Sequence, residues 1–311
     1  MAFVTNPFII MKKINFNSRG HWIAIVIAIL VALEASAQAP AYSFRVSKTG
    51  EGNAILFIPG LACDGSVWES TIAELNAHYE CHAVTLPGFA GQPPLDIEAG
   101  FTSRIRDELL RYVKEENLLH PVVVGHSLGG FIALDMLASE PDVFERAIIV
   151  DGLPFLAAVQ NPAATEETMK TMASNMLSAT QNIPDEQYAA QQKMTLRTMI
   201  TDEENIEKAL EWSMASNRAT INQAMYDLYT TDLRDDMARV QVPVLVLGSY
   251  VAYQAYGATK ETVLATFKAQ YQSLDGVHIE LSDIGKHFIM WDDPEFFLEQ
   301  TQSFLSPSAS Q

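Results

Sequence analysis

Apolar residues in this chain gather into short unbroken runs separated by amphipathic stretches. Runs at 54–58, 82–86, 122–124, 147–150 and 242–248 are largely Val, Ile, Leu and Ala, and each stops at Gly, Pro or Asp. Runs of that length and make-up predict strands covered on both faces. A weakly alternating segment at 42–48, followed by the turn 49–53, predicts an edge strand, and 277–281 a last strand. Helical patterning falls between them, at 67–79, 101–117, 131–139, 260–271 and 294–305. Strand and helix alternate with connections too long for hairpins, which predicts an α/β fold: a doubly wound, mostly parallel sheet with helices on both faces.

One long stretch breaks the rhythm. Between 153 and 240 there is almost no β-branched run, and the helical segments carry Met169, Met172, Met176, Met194, Met199, Met214 and Met225. Asn161-Pro162 and 182–185 divide them. This reads as a helical cap inserted into the sheet domain, over the carboxyl edge of the strands. The expected organisation is therefore a core from 38–152, a cap from 153–240, the second part of the core from 241–305 and a polar tail at 306–311. Methionine at helical spacing is ordinary core filler, or in a sharper reading a pliable lining for a hydrophobic substrate, together with Leu153, Phe155 and Leu156 at the cap's start.

The most informative stretch is Pro121-Val122-Val123-Val124-Gly125-His126-Ser127-Leu128-Gly129-Gly130. It fits a buried strand turning sharply into a helix, with Gly-x-Ser-x-Gly at the turn. Ser127 sits at the tip, where its hydroxyl projects clear of the sheet. The N–H of Leu128, opening the following helix, points to where an oxyanion would form.

Composition narrows the partners. Of the 311 residues, 48% are hydrophobic, enough for a large core, and the formal net charge is −18. A nucleic-acid partner is not expected, because phosphate binding needs a surplus of Lys and Arg. Near the amino terminus, Lys12, Lys13 and Arg19 precede an apolar run at 23–33, and Ala35-Ser36-Ala37 offers a small-residue cleavage site. Residues 1–37 are therefore expected to be a signal peptide cut after Ala37, the mature protein periplasmic or secreted, with no span left in a membrane. The two cysteines, Cys63 and Cys81, fall at opposite ends of neighbouring parallel strands, too far apart to bridge, so both are expected to be free thiols. Nothing in the pattern points to an oligomeric state.

Taken in order, Ile58-Pro59-Gly60-Leu61, the Gly125 to Gly129 elbow, Thr231-Asp232-Leu233-Arg234 ahead of 242–247, and Lys286-His287-Phe288 resemble the α/β-hydrolase fold family over nearly all of the mature chain. The resemblance implies serine hydrolysis of an ester, thioester, lactone or amide, with no metal and no organic cofactor. It puts the base at His287, in the loop before the last helix, and the second oxyanion donor at the N–H of Leu61. Of the other histidines, His126 is expected to pack, His278 to be half exposed, and His78, His82 and His120 to lie near the opposite edge. The acid departs from the commonest family pattern, since Ser249-Tyr250-Val251 follows the 242–248 run where many members carry Asp. Asp151, at the end of the strand after the elbow helix, is the first candidate; Asp283 is the second, and a Ser and His pair without an acid is the third. The expectation is an exported esterase acting on a small or medium hydrophobic acyl substrate. Amide or imino-peptide, lactone and carbon-carbon bond hydrolysis and perhydrolysis are its rivals on the same scaffold, and outside enzymes the rival is a binding protein that has lost turnover.

Overall fold

A computed structural model describes residues 42–306 except 97–99, 160 and 182. The signal sequence read at 1–37 lies outside the described residues. Among the described residues, no helix is long and apolar enough to cross a membrane.

Among the described residues seven strands form one sheet: β1 (Arg45–Thr49), β2 (Asn53–Ile58), β3 (Tyr79–Thr85), β4 (Val122–His126), β5 (Arg146–Val150), β6 (Val244–Ser249) and β7 (His278–Ser282). Their order is β1-β3-β2-β4-β5-β6-β7, with β1 antiparallel to β3 and every other pairing parallel. From β2 the chain first moves outward to β3, then returns to lay β4 on the other flank of β2. The winding therefore reverses between β2 and β4, and crevices at such reversals are where open α/β sheets bind ligands.

The unbroken apolar runs are explained by two cores, one on each face. Ile55, Phe57, Val122, Val124, Ile148, Val150, Leu245 and Leu247 belong to one. Leu56, Ile58, Val123, Ala147, Ile149, Val244 and Val246 belong to the other. Alternate residues of each strand thus serve opposite faces, so no polar alternation survives in the sequence.

The helices fall close to their expected places. α1 (Glu69–Leu75) is shorter than the pattern suggested, because Gly65–Trp68 forms a separate 3-10 turn capped by the Asp64 carboxylate, which accepts the Ser66 N–H at 2.9 Å. α2 (Thr102–Glu115) presents its apolar stripe to the core. α3 (Leu128–Ser139) starts three residues before the expected 131, directly after Ser127, and is buried from Leu128 through Ala138. Being enclosed on all sides, it shows no amphipathic stripe in its sequence.

Four helices separate β5 from β6: α4 (Glu166–Gln181), α5 (Asp185–Met199), α6 (Glu203–Ala215) and α7 (Arg218–Thr230). The two ends of this insertion are joined where Leu233 N–H donates to the Pro154 carbonyl at 3.1 Å. On α7, the buried Asp227 carboxylate accepts the N–H groups of Phe101 at 2.8 Å and Thr102 at 2.9 Å. It so caps α2 from across the chain, satisfying donors that a helix start cannot satisfy itself. α8 (Lys260–Gln270), the short α9 (Ile289–Asp292) and α10 (Pro294–Leu305) complete the molecule. Cys63 and Cys81 are both free and both buried.

Candidate active site

The backbone turns at Ser127 with φ 53° and ψ −115°, a conformation that costs energy for any residue with a side chain. Close packing leaves no alternative path. A Cβ on Gly125 would lie 2.3 Å from the Gly129 carbonyl oxygen, and one on Gly129 would lie 2.3 Å from that of Ile58. The glycines on either side of the serine are thus required by the approach of strand β4, helix α3 and the end of β2. Ser127 N–H is held by the Val150 carbonyl at 2.9 Å, which fixes the tip against β5.

Asp151 directly follows β5, and its own backbone is in the left-handed region at φ 46°. Its N–H donates to the Leu247 carbonyl at 2.7 Å, and its carboxylate turns to the carboxyl edge of the sheet. There Oδ2 lies 2.6 Å from His287 Nδ1, with the imidazole 15% and the carboxylate 4% exposed. The other oxygen, Oδ1, accepts the N–H of Ser249 at 2.9 Å. Ser249, which follows the 242–248 run, therefore supplies a donor to the Asp151 carboxylate on the neighbouring strand.

The loop bearing His287 is pinned at successive residues. Ser249 Oγ donates to the Gly285 carbonyl at 2.8 Å, and Lys286 N–H to the Asp292 carboxylate at 3.1 Å. Phe288 N–H donates to the Met199 carbonyl at 3.3 Å, tying the loop to the insertion. A carboxylate on Nδ1 holds the hydrogen there and leaves Nε2 as the acceptor.

Ser127, Leu128, Asp151 and His287 line one cavity of about 320 Å³. Among the described residues Ser127 Oγ has no hydrogen-bond partner; the contact to an imidazole in such sites often tightens only with substrate bound. The Leu128 N–H opens α3, and among the described residues neither it nor that of Leu61 meets a backbone acceptor. Leu61 does not itself line the cavity. Its neighbour Gly60 does abut the serine, since a Cβ there would come 3.4 Å from Ser127 Cβ.

Asp283 is not brought to the site. It is exposed and paired with Lys260 at 2.6 Å. His278 is likewise remote, exposed and paired with Glu280 at 3.1 Å. His82 is buried against the Tyr112 hydroxyl at 2.6 Å on β3, opposite Leu56 of β2 and not among the residues lining the cavity.

The rest of the cavity wall departs from expectation. Leu153 and Leu156 line it, but Phe155 is fully buried in a small core of its own beneath the Arg234 guanidinium. None of the described methionine side chains reaches the cavity: Met169 is in that small core, and Met172, Met194 and Met214 face solvent. The pliable methionine lining is thus not found. The wall comes instead from Phe131, Val159 and Leu228, and from Ala258, Thr262, Val263, Thr266 and Phe267 on or before α8. The sequence marked α8 as a helix but offered no sign of which face would meet the serine.

Two phenols stand near Asp151. The Tyr253 hydroxyl is pushed above its ordinary range by the Asp151 charge and then by burial. Burial, with Asp151 second, does the same to Tyr271, whose hydroxyl donates to the Gly152 carbonyl at 2.8 Å. Neither ionises near neutrality. No group of His, Cys, Asp and Glu among the described residues could hold a metal ion.

A model of the alpha/beta hydrolase family matches residues 55–300. The chain belongs to that family. It is similar to a pimeloyl-[acyl-carrier protein] methyl ester esterase of Vibrio vulnificus (strain YJ016), at 25% identity over 64% of this chain and 75% of that one. Its likeness to the enzyme of the same description from Aeromonas salmonicida (strain A449), also 25% identical, covers 85% of this chain and 99% of the other. Among solved structures, the enol-lactonase from Burkholderia xenovorans LB400 superposes with a TM-score of 0.68 at 16% identity, over 85% of this chain and 96% of that one, a likeness of fold alone.

His126 carries a pH signature. Burial, and secondarily the neighbouring His287, hold its pKa well below the ordinary histidine value. The unfolded chain therefore takes up this proton first as the pH falls. The ring's contribution to stability is complete above about pH 6.5 and is lost below it, at up to about 1.4 kcal/mol per pH unit. Urea unfolding of wild type and His126→Phe between pH 7.5 and 5 checks this: the variant is expected to lose stability less steeply over that interval.

Proposed function

We propose that this protein is an exported serine hydrolase that cleaves a small or medium hydrophobic carboxylic ester through an acyl-enzyme on Ser127. The observation that carries the reading is the Asp151 to His287 pair, 2.6 Å apart and opening on the same cavity as Ser127. Membership of a hydrolase family and likeness to methyl ester esterases support the reaction class.

In this mechanism His287 Nε2 takes the Ser127 proton as Oγ attacks the ester carbonyl carbon. The N–H groups of Leu61 and Leu128 receive the oxyanion, each such donor being worth about 3 to 4 kcal/mol in the transition state. Collapse breaks the bond to the alkoxy oxygen, which leaves with the proton held by His287. Water, deprotonated by the same imidazole, then attacks the acyl-enzyme and frees the acid and the serine. Asp151 keeps the imidazole in the tautomer with hydrogen on Nδ1 and faces the charge the ring acquires.

The wall supports an uncharged, apolar acyl group, because its residues are chiefly aliphatic and aromatic and include no Lys or Arg. The threonines add little polarity: the Thr262 hydroxyl is engaged by the Thr259 carbonyl at 3.0 Å and that of Thr266 by the Thr262 carbonyl at 3.1 Å.

A fluorophosphonate probe is expected to label the wild type and not Ser127→Ala. On an aryl ester, Asp151→Asn should lower kcat by about 10⁴-fold, while Asp283→Asn stays close to wild type; equal kinetics for both would remove Asp151 from the mechanism. Across a series of p-nitrophenyl esters, butyrate and hexanoate should be preferred to a succinate half-ester, and a preference for the charged ester would contradict the apolar reading. Export rests on the charged, apolar and small-residue segments of 1–37, and the intact mass of exported protein should correspond to a chain beginning at Gln38.

A further inference from the structure

The residue before the nucleophile does more than fill space. Along β4 the even-numbered Val122 and Val124 face the core that also holds Trp68, Phe288 and Ile289. The same alternation sends the His126 side chain to that face, away from the Ser127 hydroxyl. The imidazole is 1% exposed there, with its centroid 4.7 Å from that of His287, 4.6 Å from the Phe288 ring and edge-on to Trp68 at 6.4 Å.

Its two nitrogens have different surroundings. Nε2 lies 3.0 Å from the backbone carbonyl oxygen of His287, an acceptor only, so Nε2 carries the hydrogen and donates it. Nδ1 is buried without a hydrogen-bond partner among the described residues and points at Gly60, where a Cβ would be only 2.8 Å away. The ring is thus wedged between the turn that carries the Leu61 N–H and the backbone of the base.

We propose that His126 is a positioning residue for the hydrolytic reaction: its Nε2–H, held by the His287 carbonyl, sets the height of the base above Ser127. The proposal rests on the reading of Ser127 and His287 as nucleophile and base. The neutral ring is the working form. A second proton would place a cation 4.7 Å, centroid to centroid, from the imidazole that itself becomes charged during each turnover. It would also leave a buried donor on Nδ1 aimed at a residue without a side chain.

Simple packing and positioning make different predictions. His126→Phe keeps a ring of similar size among the same aromatic neighbours but removes the donor, whereas His126→Gln loses the ring and keeps an N–H that can reach the carbonyl. On p-nitrophenyl butyrate, with enzyme concentration set by fluorophosphonate titration so that misfolded protein is not counted, His126→Phe is expected to lower kcat roughly 10- to 100-fold. KM should stay within about twofold, because the substrate wall is untouched, and His126→Gln should recover a large part of the lost kcat. Wild-type kcat in His126→Phe, or a loss in His126→Gln as deep as in His126→Phe, overturns the proposal. Ser127→Ala and His287→Ala run beside them separate the two levels: full activity in either defeats the proposed reaction itself, whereas their inactivity with a normal His126→Phe defeats only the role of His126. Should the phenylalanine variant not fold, nitrogen-15 NMR of the wild type decides. A neutral ring protonated on Nε2 at pH 6.5 is expected, and a ring protonated on Nδ1 overturns the assignment.

Discussion

The hydrogen bond between Asp151 and His287 depends on three adjacent strands ending at one level. Asp151 directly follows β5, His287 follows β7, and β6 runs between them and presents the Ser249 N–H to the same carboxylate. A shift of one residue in the pairing of β6 would send every side chain of that strand to the opposite core and carry the Ser249 donor out of line. The two-sided burial of β5 and β6 therefore holds the Asp151 carboxylate in place as firmly as any local contact. A buried carboxylate without donors would be costly; here two donors meet it, one from the backbone and one from the imidazole.

The same economy governs the turn at Ser127. Ser127 occupies a backbone region that a free chain would rarely visit, and the turn persists because the surroundings over-determine it. Its N–H is tied to Val150, its carbonyl to the N–H of Phe131, and the flanking glycines permit an approach that any larger residue would block. Strain at the tip is thus balanced by burial of α3, the most enclosed helix of the molecule.

Much of this architecture can be read from residues alone, for reasons the structure makes plain. Parallel strands buried on both faces must be apolar throughout, so β2, β4, β5 and β6 announce themselves, and the elbow is legible because its geometry demands glycine at fixed spacing. Asp151 was recognisable as a candidate because strand ends at one sheet edge converge, whereas Asp283 is nearer to His287 in sequence and yet turns outward to Lys260. What sequence could not show is which side of a helix faces the cavity. The methionines of α4 to α6 have helical spacing, but Met169 joins a small core with Phe155, Met199 packs against the sheet's core and Met172, Met194 and Met214 face solvent, so the wall falls to α8 and Leu228 instead. The double duty of His126 was equally hidden, since a packing residue and a donor to a distant carbonyl look alike in a one-dimensional pattern.

Asp227 has a bearing on how the cavity can change shape. It caps α2 from its position on α7, so those two helices share buried charge-assisted bonds that separation would leave unmet. The four-helix insertion is therefore not free to lift as a rigid flap hinged at Pro154 and Leu233. Leu228, carried by that same α7, is thereby a fixed part of the cavity wall.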